Sequence, residues 1–198
     1  MEIDRKLFEE YEKLFLEENH KVNLISENDE KYLWEKHIYD SLALSKFFEK
    51  YSIPSEMLDI GTGGGFPAVP VAIAYPQITI MAFDSIAKKI QAVQAIKNGL
   101  KLNNLLPVCL RIENYSKKFE FITARAVSSL KNVCQYALPK LKKGGYFVAF
   151  KSKKYVEEIE EAQEVLMKYK AEIVDVIKYD LPLEEDYERY LLVIASKK

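Results

Sequence analysis

The sequence has little with which to tie itself together covalently. Cys109 and Cys134 are the two cysteines among 198 residues, too few for a disulfide framework and in keeping with a reducing compartment. Histidine is as sparse, with two residues, and neither type recurs at the short spacings of a zinc site, so no metal is expected. No apolar run reaches the length of a membrane span. The opening residues Met1-Glu2-Ile3-Asp4-Arg5-Lys6 are not followed by the apolar stretch of a secretory leader, and a cytoplasmic monomer without a membrane partner is expected. Neither charge sign dominates. The 29 Lys and Arg residues against 30 Asp and Glu leave a net charge of −1, which excludes binding of nucleic acid through bulk charge alone. Repeats, low-complexity tracts and linkers are lacking too.

What is present belongs to an ordinary globular chain, 48% hydrophobic and 30% charged. Its length suits one domain with a core of useful size. Lysines gather at Lys88-Lys89, Lys117-Lys118, Lys142-Lys143 and Lys151 to Lys154, and acids at Glu157 to Glu164 and Glu184 to Glu188. A basic face on a neutral protein is one reading of the lysines, and solvated helix and loop surfaces are the other.

Apolar residues Leu7, Phe8, Tyr11, Leu14 and Phe15 recur at helical spacing. Residues 28–50 continue the pattern as an amphipathic helix, and Pro54 breaks it. The spacing therefore predicts a helical cap over 1–52, followed by a main domain over 53–198, the two forming one compact unit. In the second part strands and helices alternate. Strands are predicted at 57–60, 78–83, 106–110, 119–124 and 146–150, helices at 67–74, 87–100, 128–141 and 154–169, and two closing strands at 171–179 and 190–195. Such alternation implies an α/β fold with a mostly parallel sheet covered on both faces. The closing pair, with no helix between them, implies an antiparallel strand at one end of it.

The first of these strands runs into Asp59-Ile60-Gly61-Thr62-Gly63-Gly64-Gly65-Phe66-Pro67. In open α/β sheets ligands bind beyond the carboxyl ends of the strands, near a switch point, and glycine allows close approach of the backbone. The dinucleotide fingerprint needs a sixth-position glycine after Gly61, where this chain has Phe66. The spacing is instead G-x-G-x-G, preceded by Asp59, a pattern typical of S-adenosylmethionine sites. Asp84 ends the next strand, where an acid can hold ribose hydroxyls. Taken singly, Asp59 is equally a loop cap and Asp84 a helix cap; their joint placement favours a cofactor.

The extended run through Pro67 resembles the bacterial 16S ribosomal RNA guanine-N7 methyltransferases, the glucose-inhibited division protein B family, and the resemblance covers nearly the whole chain. Asn23-Leu24-Ile25 and His37-Ile38-Tyr39-Asp40-Ser41-Leu42 resemble its N-terminal motifs. Asp84-Ser85, Lys88-Lys89, Arg111-Ile112-Glu113, Arg125-Ala126 and Lys151 follow in the family's order. The chain departs from the family at Ala68 and Ser152, where glycine is usual, and at Glu120, where aspartate is commoner. The resemblance implies a doubly wound seven-stranded sheet of the class I, Rossmann-like, S-adenosylmethionine-dependent type with an N-terminal helical cap. The cofactor set would be Asp59, Gly61, Gly63, Gly65, Phe66, Asp84, Ser85, Ile112, Glu113 and Arg125, with Ile112 and Glu113 at the adenine and Arg125 beside the methionine part.

The resemblance also implies small-subunit ribosomal RNA as the partner. His37, Lys88, Arg111, Lys151 and Lys153 are then candidate RNA contacts, the cations through phosphates. Guanine N7 carries an exposed lone pair, so no general base is required, and positioning supplies much of the rate. Arg125 is the one candidate for a catalytic role. His37 and Asp40, three apart on the expected helix, either shape substrate entry or make a polar contact that seats the cap. Two other functions stay open: methyl transfer to a protein or small molecule, and a nucleotide-binding assembly module without catalysis.

Overall fold

The computed structural model describes residues 4–183 and 187–197. Helix α1 (Arg5–Val22) starts at Asp4, whose side chain accepts from the Leu7 N–H, and ends at Asn23 in the left-handed region. Phe8, Tyr11, Phe15 and Asn19 form its buried stripe, and removing each large ring from water contributes on the order of 2 kcal/mol. Helix α2 (Glu27–Glu30), a π-helical segment (Leu33–Tyr39), α3 (Asp40–Leu42) and α4 (Leu44–Lys50) complete the N-terminal part. The single helix expected over 28–50 is thus divided. The wider π turns let Leu33 and Ile38, five apart, both reach the core.

The remainder alternates as β1 (Glu56–Ile60), α5 (Ala68–Ala74), β2 (Thr79–Asp84), α6 (Ala87–Leu100), β3 (Leu105–Cys109), β4 (Phe119–Arg125), α7 (Leu130–Ala137), β5 (Leu141–Lys151), α8 (Tyr155–Lys168), β6 (Ala171–Asp180) and β7 (Glu188–Ser196). Helix α7 is shorter than expected because Pro139 tightens its end into a 3₁₀ turn over Leu138–Lys140. Strand β5 starts five residues earlier than the expected 146, so Gly144-Gly145 lie within it.

The seven strands are ordered β3-β2-β1-β4-β5-β7-β6. β3, β2, β1, β4 and β5 are mutually parallel, and β7 runs antiparallel between β5 and β6. The antiparallel strand therefore lies one place in from the edge rather than at the end. The crossover through α8 sets β6 beyond the neighbouring position, and the return strand β7 fills that gap. Strand order reverses at β1, where β2 continues to one side and β4 to the other, which makes the ends of β1 and β4 the switch point.

Alternation along each strand divides the core into two layers. Met57, Ile80, Phe121, Val148, Val193 and Tyr179 face the side covered by α1, α3, α4, α5 and α6. Leu58, Ile122, Phe147 and Ile194 face α7 and α8. The N-terminal helices are thus one outer layer of the sheet, sharing its core. Gly99 marks how closely α1 crosses α6: a Cβ there would stand 2.6 Å from Leu14 Cδ1.

Candidate functional site

A cleft of about 630 Å³ opens over the carboxyl ends of β1 to β4, within the usual range for small-molecule sites. Its floor is the glycine loop after β1. Gly61 and Gly63 take φ values of +68° and +56°, which turn the chain sharply under the cleft and favour glycine, the residue that enters this region without strain. Thr62 N–H donates to Phe83 O at 2.9 Å, and Gly63 N–H to Asp84 Oδ2 at 3.0 Å. A Cβ on Gly63 would meet no protein atom closer than Gly61 O at 3.9 Å. That side of the loop is open to a ligand.

Asp84 clamps the site. Its Oδ1 accepts from Ile86 N–H at 2.9 Å, so one carboxylate ties the loop after β1 to the segment leading into α6. Asp84 and Ser85 both line the cleft. Beyond β3, Leu110 N–H donates to Asp84 O at 3.0 Å, and the chain turns through a 3₁₀ segment, Ile112–Asn114. Ile112 is buried and Glu113 exposed, so this end of the cleft offers an apolar surface beside polar edges. Lys140 Nζ donates to Glu113 O at 3.3 Å and also to Tyr115 O, fixing the turn.

The opposite end lies at Arg125, which ends β4 on the same face as Phe121 and Thr123 and so meets the N-terminal layer. Its Nη1 donates to Asp40 Oδ2 at 2.8 Å and to Lys36 O at 3.2 Å, and its Nη2 stands 3.0 Å from His37 Nδ1. Arginine can only donate, so Nδ1 accepts and the imidazole proton sits on Nε2, which is buried without a partner among the described residues. Burial and the neighbouring Arg125 charge hold His37 down to about 4, so the ring is neutral at physiological pH. Phe66 supports the group from below, with the Arg125 guanidinium 4.9 Å and the His37 ring 5.1 Å from its ring centre. The polar contacts of His37 and Asp40 therefore join the N-terminal layer to β4 through Arg125.

Asp59 and Gly65 stand apart from the cleft wall. Asp59 is fully buried and faces Thr123 across the β1–β4 pair, where Thr123 Oγ1 donates to its Oδ1 at 3.1 Å. Among the described residues Oδ2 has no partner within hydrogen-bond geometry. Burial raises its carboxyl to about 7, partly offset by the nearby threonine hydroxyls and Arg125. Asp59 is thus turned toward Thr123 and does not line the cleft, where its spacing led to a cofactor contact being expected. Gly65 is buried under Val69, 2.6 Å from where a Cβ would stand.

The candidate RNA residues divide. Arg111 lines the cleft and is exposed. Lys88 is exposed, but its neighbour Lys89 is the one lining the cleft. Lys153 is exposed, 3.6 Å from Glu188. Lys151 is turned inward, 9% exposed, with Nζ 2.6 Å from Glu158 Oε2 and 3.0 Å from Ser128 O. The expected phosphate contact gives way there to an internal ion pair, because Lys151 points to the α8 face of the sheet. His37 is set in the cleft wall as a neutral ring, with Nδ1 against Arg125 and Nε2 buried.

Sequence reasoning missed the segment after Arg125. Ala126 has φ +54°, a left-handed conformation costing a non-glycine residue about 1 kcal/mol. Val127 is carried over Gly61, with Cγ2 2.6 Å from where a Cβ would stand. Nothing in an Ala-Val pair signals this. Leu24, Ile25 and Ser26 also line the cleft, in or next to the Asn23-Leu24-Ile25 motif. Among the described residues no cluster of three or more His, Cys, Asp or Glu could hold a metal ion, and no helix is long and apolar enough to cross a membrane.

Comparison with known proteins agrees with this geometry. N-methyltransferase NodS from Bradyrhizobium japonicum, solved in complex with S-adenosyl-L-homocysteine, superposes with a TM-score of 0.65 at 13% identity, covering 93% of this chain and 99% of that one. An S-adenosylmethionine-dependent methyltransferase from Clostridium acetobutylicum superposes with a TM-score of 0.61 at 16% identity over 81% of this chain and 92% of that one. These likenesses show the Rossmann-like methyltransferase fold. In sequence, the chain is 35% identical to ribosomal RNA small subunit methyltransferase G of Staphylococcus aureus strain Newman, over 100% of this chain and 84% of the relative. It is 36% identical over the same shares to the protein of that name from strain bovine RF122. The family model GidB, rRNA small subunit methyltransferase G, matches residues 4–184, and the chain belongs to that family.

Proposed function

We propose that this protein transfers the methyl group of S-adenosylmethionine to N7 of a guanine in the 16S ribosomal RNA of the small subunit. The observation that carries the cofactor half is the order of groups across the strand ends. Ile112 and Glu113 follow β3, Asp84 ends β2, Gly61 and Gly63 follow β1, and Arg125 ends β4. Adjacent strands are about 4.8 Å apart, so the row from β3 to β4 spans roughly 14 Å, the scale of an extended nucleoside carrying an amino acid. Family membership carries the RNA half.

When bound, S-adenosylmethionine supplies an electrophilic methyl on a sulfonium centre. In this reading Ile112 packs on the adenine and Asp84 presents its carboxylate to the ribose hydroxyls. Gly63 admits the ligand against bare backbone. Arg125 has five N–H donors, of which three have partners. Among the described residues two remain for the carboxylate of the methionine part. Guanine N7 needs no deprotonation, so the reading calls for no base; His37 is neutral, with its acceptor nitrogen taken by Arg125. A neutral ring also adds no positive charge beside a purine that becomes cationic on methylation. Lys89 and Arg111 at the rim, with Lys88 beside them, are placed for phosphates. The reading includes a cytoplasmic monomer that works without a metal.

The test is transfer of labelled methyl from S-adenosylmethionine to small subunits lacking the modification, with free proteins and small acceptors in parallel. Label in the RNA is expected. Label confined to another acceptor, or none with cofactor binding intact, refutes the RNA assignment.

A further inference from the structure

Tyr179 lies on β6, the edge strand farthest from β3 in strand order, and does not line the cleft. It is 4% exposed, and its hydroxyl donates to Asp40 Oδ1 at 2.6 Å. Asp40, 5% exposed, accepts from Arg125 Nη1 on its other oxygen at 2.8 Å. A buried chain of contacts thus runs from β6 through α3 to the wall of the cleft. Burial and the Asp40 charge push the Tyr179 hydroxyl well above its ordinary value, so it remains a donor at any working pH.

The division of Asp40 between two partners has a chemical consequence. A carboxylate facing a guanidinium tends to take two parallel N–H bonds. Here one oxygen is already claimed, so Asp40 holds Arg125 through a single nitrogen. We infer that Tyr179 is a positioning residue for Arg125: by occupying one oxygen of Asp40, it keeps two N–H groups of the guanidinium free for the carboxylate of the cofactor's amino-acid part. Without the hydroxyl, Asp40 Oδ1 is a buried oxygen that has lost its donor, a costly state that a turn of the Asp40–Arg125 pair toward two parallel N–H bonds would relieve. The inference rests on the proposed meeting of Arg125 with that carboxylate.

The experiment compares two ligands by calorimetry, S-adenosylhomocysteine and 5′-methylthioadenosine, which lacks the amino-acid part. Tyr179→Phe removes one oxygen and keeps the ring. It is expected to weaken S-adenosylhomocysteine about tenfold and to leave 5′-methylthioadenosine within about twofold of the wild type. Adding Asp40→Asn, which offers one acceptor oxygen instead of two, is expected to restore most of the lost affinity. A purely structural role for Tyr179 predicts the reverse: both ligands weaken together and the double variant is worse. That result, or failure of Tyr179→Phe to fold, overturns the inference. Arg125→Lys separates the two levels. If it weakens S-adenosylhomocysteine selectively while Tyr179→Phe does nothing, Arg125 keeps its role and Tyr179 loses its own. If Arg125→Lys weakens neither ligand, the reading of Arg125 fails first.

Discussion

Replacing Gly63 with alanine separates the cost of bending the loop from the cost of filling the site. At φ +56° a Cβ brings about 1 kcal/mol of left-handed strain. Nothing in the protein adds to it, because the nearest atom to the new methyl is Gly61 O at 3.9 Å. In a chain of 198 residues that strain lowers Tm by about 2–4 °C. The effect on ligand is larger in proportion. Atoms in contact sit about 3.5–4.0 Å apart, so a methyl on the open side of the loop occupies space that the cofactor takes in the wild type. Scanning fluorimetry with and without S-adenosylhomocysteine reads both effects. At a hundred times Kd the ligand stabilises the wild type by about 2.7 kcal/mol. Gly63→Ala should melt slightly lower without ligand and lose most of the ligand-induced rise. An undiminished rise would show that no ligand approaches this backbone. Gly61 is the poorer probe, since a Cβ there strikes Val127 at 2.6 Å and confounds the two costs.

Three further outcomes are expected. Asp84→Ala removes the acceptor for two backbone N–H groups and should cost about 2 kcal/mol in urea unfolding while also weakening S-adenosylhomocysteine; loss of neither would remove the clamp. Asp59 should make stability fall with rising pH. Its folded pKa is about 7 against an ordinary 3.8, so its favourable contribution is complete below about 4 and disappears as pH climbs to about 7. Asp59→Asn should therefore gain on the wild type across that window by up to about 4 kcal/mol, and parallel urea curves from pH 4 to 8 would contradict the burial of an ionising carboxyl. Lys101 ends α6 in the left-handed region with φ 56°, so Lys101→Gly should raise stability by about 0.5–1 kcal/mol without changing ligand affinity; a fall in Tm would count against the cap.

Most of the architecture was legible because strands and helices bury their residues with different periods. The stretches at 57–60, 78–83 and 119–124 and the helix at 87–100 all lie where the pattern puts them, within a residue or two. The division of residues 28–50 was not legible, since a π segment buries residues at intervals that still look helical. The place of β7 was hidden because sequence order does not state which gap a returning strand fills. Within the site, the glycine loop and Asp84 could be read from spacing. Arg125 could be placed at the end of β4, yet its partners come from residues 36, 37 and 40, a long-range meeting that only the shared face of Phe121, Thr123 and Arg125 hints at. Lys151 misled for the same kind of reason: it is the last residue of β5, while the other lysines of its run lie in the turn before α8, and it faces inward to Glu158. Asp59 was assigned to the cofactor by distance along the chain, while the pleat turns it toward Thr123.

Mapping the methylated base tests the central claim most directly. Small-subunit RNA from cells lacking the modification, incubated with the protein and S-adenosylmethionine, is digested for fragment mass spectrometry and treated in parallel with borohydride and aniline, which cleave the chain at 7-methylguanosine. A single fragment gaining one methyl group, with cleavage at one guanine inside it, is the predicted result. A methyl on another base or position, or RNA that stays unmodified while the protein binds S-adenosylmethionine, would contradict it.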